Sequence, residues 1–427
     1  MKQGFIYTVA GDGRPGASSD YLSQYVSGAA SINSIAGPIL NVTKNSNGDV
    51  IFSDQNNYLL MISNENCISQ CTYGLPSVKK GSLYVLANSS STVIGQHGVN
   101  YSFGISGVLA RSSGLATDPV GNIIFAEPYL NQIALFSNQN CNSACPYNLK
   151  SMVKGSIYVI AGNEIQGQFL NGTSGSAARL SNPGSISVDK YGDIAFTTNQ
   201  TYDSKSSVPV ISLLSNINCE FSCPFGLKEM KQDDIYLIGE EGNENYSAVL
   251  SFQQANLSSS SNTVIYPSEV AFDNLGNLYF EVQYGSNKSD LLVESNINCN
   301  VNCPFGLQYM KVGSIYNVSS RPIYKDFTVD AVGNIIFVNS STGNIQLLTR
   351  TTCSLRCAFG LKKTVAGATY TLVKIEETAL SNDPSNACSK YHICLPKNVL
   401  VISSNSLILD DQFQGVVYQV NISGGFN

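Results

Sequence analysis

The sequence of 427 residues predicts an all-β chain folded as a six-bladed β-propeller of four-stranded antiparallel blades, with an N-terminal strand closing the last blade. Two repeated signals support this prediction. A cysteine unit, such as NCEFSCPFGLKEMKQDDIYLIG from Asn218, occurs five times. A hairpin unit, such as EVAFDNLGNLYF from Glu269, also occurs five times. Self-similarity spread evenly along a chain is typical of one closed or stacked repeat domain.

The hairpin unit consists of an apolar run, a Gly-Asn or Gly-Asp turn and a second apolar run rich in Ile, Phe and Tyr. This pattern is typical of a β-hairpin. Asp189, Asp273 and Asp330 stand three residues before the turn glycine, where a carboxylate can accept backbone N–H bonds and set the turn. A third apolar run follows each hairpin, and the IY-rich run after the cysteines supplies a fourth strand. Four strands per unit are typical of a propeller blade.

The two ends of the chain complete the ring. After residue 397 the sequence holds three apolar runs without a following cysteine pair, and residues 4–10, GFIYTVA, match the fourth strand of the repeats. Pairing this segment with the last blade would remove an open sheet edge. We therefore expect one domain over residues 1–427. Its predicted blades are residues 38–87, 113–162, 184–239, 268–320, 325–374, and 397–421 together with 4–10.

The pattern VDxxGN(I/L)(Y/I)F followed by IYxxAG resembles the NHL-repeat family of propellers over nearly the whole chain. The resemblance implies the fold. It implies no particular activity, because that family includes scaffolds, receptors and a few enzymes. The CxxxCPFGL segment departs from the family pattern and looks like a feature of a secreted bacterial variant.

The predicted strand directions divide the loops between two faces. The connections between blades are long and rich in Ser, Gly and Asn, and they lie on one face with the turns between second and third strands. The cysteine loops and the Gly-Asn turns lie on the other. Long loops on a rigid scaffold are where binding usually resides. The long connections are residues 11–37, 88–113, 162–184, 240–268 and 374–397.

The twelve cysteines form six close pairs, which suit either metal or redox chemistry or local disulfides. A structural zinc site needs four ligands, usually from two knuckles brought together, whereas a propeller spreads these pairs around a ring. Redox pairs are typically CxxC beside a helix start, which is not the spacing here. We therefore predict local disulfides, each of which stiffens one short loop. The pairs are Cys67/Cys71, Cys141/Cys145, Cys219/Cys223, Cys299/Cys303, Cys353/Cys357 and Cys388/Cys394.

Disulfides form in oxidising compartments, so we expect an extracellular or cell-surface protein. The first residues, MKQGFIYTVAG, lack the apolar region of a signal peptide, and we expect the chain to be a mature or trimmed form. Net charge is −6 without a basic block, which disfavours nucleic-acid partners, and no apolar stretch is long enough to span a membrane. Candidate glycosylation sites are Asn41, Asn88, Asn100, Asn171, Asn199, Asn245, Asn256, Asn287, Asn317, Asn339 and Asn421.

Few residues suit catalysis. The two histidines, His97 and His392, fall in different loops, which disfavours a triad or a multi-histidine metal site. Four acids form a candidate Ca²⁺ site at the channel mouth: Glu269, Asp326, Asp54 and Glu127. The first two begin innermost strands of adjacent blades and the other two end strands at the same rim. Oxygen ligands suit Ca²⁺, and the alternative is that these acids are solvated rim residues.

Tyrosines recur at one position of the outer strands, where we expect them to pack between blades. They are Tyr7, Tyr84, Tyr158, Tyr236, Tyr316 and Tyr370.

Two functional hypotheses remain. The first is a non-enzymatic extracellular module of a cell surface or assembly, needing no cofactor, with other proteins, glycans or further copies of itself as partners. It includes a self-associating filament or surface-layer subunit. The alternative is a calcium-dependent hydrolase or lyase with its site at the channel mouth.

Overall fold

The fold is seen in a computed structural model of the chain. It describes residues 6–11, 27–28, 30, 39–55, 57–88, 91–94, 100–102, 114–201, 207–240, 265–284, 288–321, 324–339, 341–374, 393, 396–411 and 415–422. Within these ranges, no helix is long and apolar enough to cross a membrane.

Six antiparallel sheets form the blades, as the repeats predict. Blade 1 contains β2 (Ile39–Lys44), β3 (Val50–Asp54), β4 (Leu59–Ile62) and β5 (Leu83–Ala87). Blade 2 contains β8 (Leu115–Thr117), β9 (Ile123–Glu127), β10 (Gln132–Phe136) and β11 (Ile157–Ala161). Blade 3 contains β13 (Ile186–Val188), β14 (Ile194–Thr201), β15 (Ser207–Leu214) and β16 (Asp234–Glu240).

The second half of the ring repeats this plan. Blade 4 contains β17 (Ile265–Phe272), β18 (Leu278–Tyr284), β19 (Lys288–Glu294) and β20 (Ile315–Arg321). Blade 5 contains β21 (Tyr324–Val329), β22 (Ile335–Asn339), β23 (Ile345–Leu348) and β24 (Thr369–Val373). Blade 6 contains β25 (Pro396–Ser403), β26 (Ser406–Asp411), β27 (Val416–Asn421) and the N-terminal β1 (Ile6–Ala10).

The predicted closure by the N-terminal strand is confirmed. β1 pairs antiparallel with β27, with Ile6 opposite Val420 and Thr8 opposite Tyr418. The first strand of each blade lies innermost, and neighbouring inner strands are in contact around the whole ring. Because the first and last segments share one sheet, the outer edge of blade 6 is covered and the termini are held together.

The hydrophobic core consists of six layers, each between two neighbouring blades. For example, Phe196 of blade 3 packs in one cluster with Ile124 of blade 2, and Phe52 of blade 1 packs with Val417 of blade 6. Each blade is therefore apolar on both faces. A hydrophobic layer is shielded from water only when both of the blades that form it are in place. Stability in such a ring depends on neighbouring repeats.

The turn between the first and second strands forms as predicted. Asp273 accepts hydrogen bonds from the backbone N–H groups of Leu275 and Asn277, both at 2.9 Å, and Asp189 and Asp330 make the same contacts in their blades. The turn glycine has a positive φ, +83° at Gly276, which favours glycine over other residues.

The cysteine loops share a second local structure. A single 3-10 turn follows the second cysteine in each loop, as at Pro224–Gly226, and its central aromatic residue adopts a left-handed conformation. These aromatic side chains are buried, so inter-blade packing offsets the conformational cost. They are Tyr73, Tyr147, Phe225, Phe305 and Phe359.

The recurrent outer-strand tyrosines also brace these loops. The hydroxyl of Tyr158 accepts a hydrogen bond from the backbone N–H of Val153 at 2.7 Å, and Tyr84, Tyr236, Tyr316 and Tyr370 repeat the contact with the residue five positions earlier. The sequence predicts only their packing between blades, because the hydroxyl's partner is visible only once the loop is folded.

Two long connections predicted as loops contribute strands. β6 (Thr92–Ile94) pairs in parallel with β11, and β7 (Asn100–Ser102) pairs with β6. β12 (Thr173–Ser174) pairs with the start of β16. In both blades the added strand covers an outer edge whose backbone groups would otherwise lack a neighbouring strand.

Candidate functional site

The inner strands of all six blades enclose a central cavity of about 210 Å³. In each blade, one residue of the first strand pairs with the corresponding residue of the second strand, which is phenylalanine in blades 1 to 5 and Leu409 in blade 6. The residue directly before it in the first strand is the equivalent position of the inner strands. These positions are Asn41, Gly114, Ser185, Glu269, Asp326 and Asn398. All except Gly114 line the cavity. A side chain at Gly114 would meet the carbonyl oxygen of Gly184, so packing explains this gap in the ring of polar groups.

The structure brings Glu269 and Asp326 together on adjacent inner strands. Glu269 Oε2 accepts a hydrogen bond from Ser185 Oγ at 2.8 Å, and Asp326 Oδ2 accepts one from the backbone N–H of Val399 at 3.0 Å. Both acids are half-buried, since one side of each faces the channel. The ring therefore fixes two carboxylates among the residues that line a polar central cavity.

The protein around these carboxylates opposes their ionisation. Burial raises the pKa of Glu269 well above its ordinary value, and the nearby charge of Asp326 raises it further. Burial also raises the pKa of Asp326 to about 7, with Asp410 contributing in the same direction. Two acids held this close do not both ionise readily, so near neutral pH the pair tends to retain a proton.

Lys397 and Asn398 complete the surroundings of the pair. Lys397 Nζ donates a hydrogen bond to the carbonyl of Leu40 at 3.2 Å, and its charge lowers the pKa of both channel acids. Asn398 donates from its backbone N–H and from Nδ2 to Asp410, at 2.6 and 2.7 Å. Burial raises the pKa of Asp410 to about 6.

Sequence reasoning missed these neighbours of the acid pair. The ring positions of Ser185, Glu269 and Asp326 each lie four residues before the aspartate of the turn, and comparing this position across the repeats would have identified Ser185. Lys397 and Asp410 carry no such signal, because blade 6 lacks the turn aspartate.

The other two predicted acids lie elsewhere. Asp54 ends β3 and Glu127 ends β9, and both side chains are fully buried rather than solvated at a rim. Neither lines the central cavity. A second strand lies behind the inner strand of its blade, so its last residue reaches the end of the blade without facing the channel.

Chemically, the acid pair offers the kind of ligands that Ca²⁺ takes: carboxylates, with amide and hydroxyl oxygens beside them. In the described part of the chain, no three acidic, histidine or cysteine side chains are grouped closely enough to hold a metal ion. The donors fit Ca²⁺ in type, with Glu269 and Asp326 as the charged ligands, and Ser185 and Asn398 as neutral neighbours.

Five of the six predicted disulfide bonds are present, each with a Cα–Cα distance of 5.7 Å. Cys388 and Cys394 lie outside the described residues, as do His97 and His392. The first cysteine of each bonded pair also forms an antiparallel bridge with a residue eleven positions later, so the loops are closed twice. The bonds are Cys67–Cys71, Cys141–Cys145, Cys219–Cys223, Cys299–Cys303 and Cys353–Cys357.

The sequence predicts that each bond only stiffens one short loop. The structure shows in addition that the second cysteine of each bond is buried in the core. These five side chains are at most 7% exposed, and each packs in a hydrophobic layer between two blades. The physical reason is the 3-10 turn that follows, because its aromatic residue enters the same layer and draws the preceding cysteine inward. Each bond therefore also ties its loop to the core. The buried cysteines are Cys71, Cys145, Cys223, Cys303 and Cys357.

We define the Cys face as the five cysteine loops (residues 63–82, 137–156, 215–234, 295–314 and 349–368) and the turns between first and second strands (45–49, 118–122, 189–193, 273–277, 330–334 and 403–406). Among the described residues, 11 of the 15 exposed large hydrophobic side chains lie on this face. They are Ile68, Val120, Val153, Tyr191, Phe221, Leu275, Val301, Tyr309, Val332, Leu355 and Val365.

Hydrogen bonds tie the Cys face together across blades. Tyr147 Oη of a blade 2 loop donates to the carbonyl of Gly192 in the blade 3 turn at 2.8 Å, and its backbone N–H donates to Asn216 Oδ1 at 3.0 Å. Tyr73 makes the same two contacts with Gly121 and Asn138 of blade 2. Each of these two loops is thus fixed to the next blade.

Burial separates the glycosylation candidates. Asn41 is buried on an inner strand and lines the central cavity. Partly exposed candidates are Asn88, Asn171, Asn199, Asn317, Asn339 and Asn421. The side chains of Asn100, Asn245, Asn256 and Asn287 lie outside the described residues.

Comparisons with known proteins leave the activity open. No protein-family model matches the chain, so the NHL resemblance stays a prediction, and no curated protein matches it in sequence. A gluconolactonase from Xanthomonas campestris is similar in structure, with 10% identity, a TM-score of 0.45, and coverage of 99% of this chain and 98% of that one.

A catalytically inactive virginiamycin B lyase from Staphylococcus aureus, with quinupristin, has 12% identity and a TM-score of 0.40 over 92% of this chain and 81% of its own. A putative gluconolactonase has 12% identity and a TM-score of 0.42 over 97% and 99% of the two chains. At these values the similarity carries no argument about what this chain does.

Proposed function

We propose that the protein is an extracellular, non-enzymatic propeller that acts as a rigid binding module through its Cys face. The exposed loop tips carry this proposal: Ile68, Phe221, Val301 and Leu355 are between 76% and 91% exposed. These side chains lie between the bonded cysteines of four loops on one face, and we take this recurrence as the mark of an interaction surface. The five disulfides support an oxidising compartment, where such bonds persist.

The rigidity of the loops supports a role in binding. Each apolar tip lies between two bonded cysteines, as Phe221 does between Cys219 and Cys223. A short disulfide loop restricts the tip before any partner arrives, so less conformational entropy is lost on binding. The tips make little contact with the protein itself, and substituting them should leave folding nearly unchanged.

We expect the double substitution Phe221→Ser and Leu355→Ser to release the protein from the surface of the cells that produce it. The measurement is the ratio of cell-associated to free protein, for wild type and variant, with equal thermal stability as a requirement. The matched control is Tyr129→Ser with Ile165→Ser, two residues 47% and 54% exposed outside the Cys face. Wild-type protein found entirely free in the medium would contradict the proposal.

A calcium-dependent hydrolase or lyase is the second candidate, and the acid pair at the channel favours it. Glu269 and Asp326 would be the charged ligands of the ion, which would polarise an ester or lactone carbonyl. Lys397 would limit the charge of the empty pair, and Ser185 would hold Glu269 in position. The inner strands of all six blades would surround a small polar ligand bound in this cavity.

For this candidate, we expect Ca²⁺ to raise the melting temperature of the wild type by several degrees, because a ligand bound only by the folded state stabilises it. Glu269→Gln should abolish this response, and Glu220→Gln, an exposed acid on the Cys face, should preserve it. An unchanged melting temperature at millimolar Ca²⁺, together with no turnover of esters or lactones, would remove the enzyme hypothesis.

A further inference from the structure

We propose that the partner of the Cys face is a lipid bilayer that carries anionic headgroups, with the propeller lying flat on it. This inference rests on the proposed function, because it names the surface that the Cys face binds. Three observations carry it: the charge of the face, the position of its apolar side chains, and the geometry of the ring.

The exposed charged side chains of the Cys face are predominantly cationic, although the whole chain has a net charge of −6. The described residues of this face include ten exposed Lys or Arg side chains and only two exposed acidic ones, Glu220 and Glu229. The turn aspartates lie beneath these side chains, buried in their own hydrogen bonds, so the cations stand closer to a flat partner than these carboxylates do. A cationic face is attracted to anionic headgroups, and dissolved salt screens this attraction.

Apolar and cationic side chains alternate on this face. In the loop of blade 5, Leu355 is 79% exposed, and Arg356, Lys362 and Lys363 accompany it in the loop without an exposed acid. In blade 1, Ile68 is 91% exposed in the loop that carries Lys79 and Lys80. This combination is typical of surfaces that lie in the interface of a membrane, with apolar groups below the headgroups and cations among them.

The geometry of the ring matches a plane. The five cysteine loops have the same local structure, and each follows the third strand of its blade. Blades of a propeller are related by rotation about the channel, so equivalent loop tips lie at about the same height. A flat set of apolar tips around a ring suits a bilayer better than a single protein groove, which would contact one side of the ring.

Binding in this pose orients the molecule. Glu269 and Asp326 each stand four residues before the turn aspartate of their blade, and the Cys face begins at that turn. The opposite end of the channel would therefore point away from the membrane. Attachment through the Cys face would leave the cavity accessible.

The test is co-sedimentation of the full disulfide-bonded chain with phosphatidylcholine vesicles, with and without phosphatidylserine. We expect binding only when phosphatidylserine is present, and weaker binding as salt is raised. Phe221→Ser with Leu355→Ser should reduce the partition coefficient about tenfold or more. Lys362→Glu with Lys363→Glu should do the same, whereas Tyr129→Ser with Ile165→Ser should bind like wild type.

Wild-type protein that binds neither vesicle overturns the lipid inference. If the tip variant is nevertheless released from the producing cells, the proposed binding role of the Cys face stands with a different partner. If neither assay responds, both proposals fall. Vesicle binding that survives the tip and charge variants places the membrane contact elsewhere and overturns the inference. Self-association lost in the tip variant, without vesicle binding, makes the face an interface between copies and also overturns it.

Discussion

Replacing Asp193 with asparagine is expected to stabilise the folded protein by about 2 to 4 kcal/mol at neutral pH. Asp193 is only 1% exposed, and burial, with the nearby charge of Asp189, raises its pKa from 3.8 to about 7. Its Oδ1 accepts hydrogen bonds from the backbone N–H of Asn216 and from Ser215 Oγ. Its Oδ2 is buried without a hydrogen-bond partner among the described residues.

The equivalent residue in three other blades is asparagine. Asn122, Asn277 and Asn334 each donate from Nδ2 to the turn aspartate at 2.7 to 2.8 Å, and each accepts at Oδ1 from a backbone N–H. Asparagine at position 193 can keep the contact with Asn216 and add a hydrogen bond to Asp189. The substitution also removes a carboxyl group whose ionisation is unfavourable in the folded protein.

The pH dependence has a definite sign. The unfolded chain releases the Asp193 proton near pH 3.8, whereas the folded chain keeps it to about pH 7. Between these values the folded state binds more protons, so its free energy of unfolding falls as pH rises through the window and is constant above it. The advantage of Asp193→Asn should therefore be small at pH 4 and largest above pH 7.

The measurement is denaturant unfolding at pH 4, 6 and 8 with the disulfides intact. The matched control is Asn122→Asp, which places two carboxyl groups in the turn of blade 2 and should destabilise the protein with the opposite pH trend. A pH-independent difference between Asp193→Asn and the wild type would contradict the explanation.

Truncating Tyr147 to alanine is expected to cost about 3 to 5 kcal/mol, since a large buried aromatic side chain leaves a cavity. Tyr147 is 1% exposed and packs in the layer between blades 2 and 3. Its hydroxyl donates to the carbonyl of Gly192 and its backbone N–H to Asn216. The substitution therefore weakens the contact between two blades as well as one loop.

Tyr147→Phe separates the two contributions. It keeps the ring and removes the hydrogen bond to Gly192, which should cost about 1 to 2 kcal/mol. Phenylalanine already occupies the equivalent position in three loops, at Phe225, Phe305 and Phe359. Denaturant unfolding measures both variants. If Tyr147→Ala and Tyr147→Phe lowered the free energy of unfolding equally, the hydroxyl's hydrogen bond, and not the packing of the ring between blades, would account for the contribution of Tyr147.

The sequence alone predicts the number of blades and the strand order, because these follow from local signals, and the likeness of residues 4–10 to the fourth strand of the repeats predicts the closure. Alternating apolar runs, the Asp-x-x-Gly turn and the cysteine spacing each depend on residues within about one hairpin. The bonded cysteines are four residues apart, so pairing each with its near neighbour needed no knowledge of the ring.

The tertiary structure decided which side chains meet. Ser185 and Glu269 are separated by 84 residues, and Asp326 and Val399 by 73, so no local pattern joins them. Blade geometry also buried Asp54 and Glu127 behind the inner strands, and it buried the second cysteine of each bonded pair in the layers between blades. The exposure of four apolar tips and ten cations on the Cys face also became visible only in the folded ring. Contacts between side chains of different blades depend on how the blades stack. The hydrophobic layers between neighbouring blades determine this stacking, and no single repeat contains a whole layer.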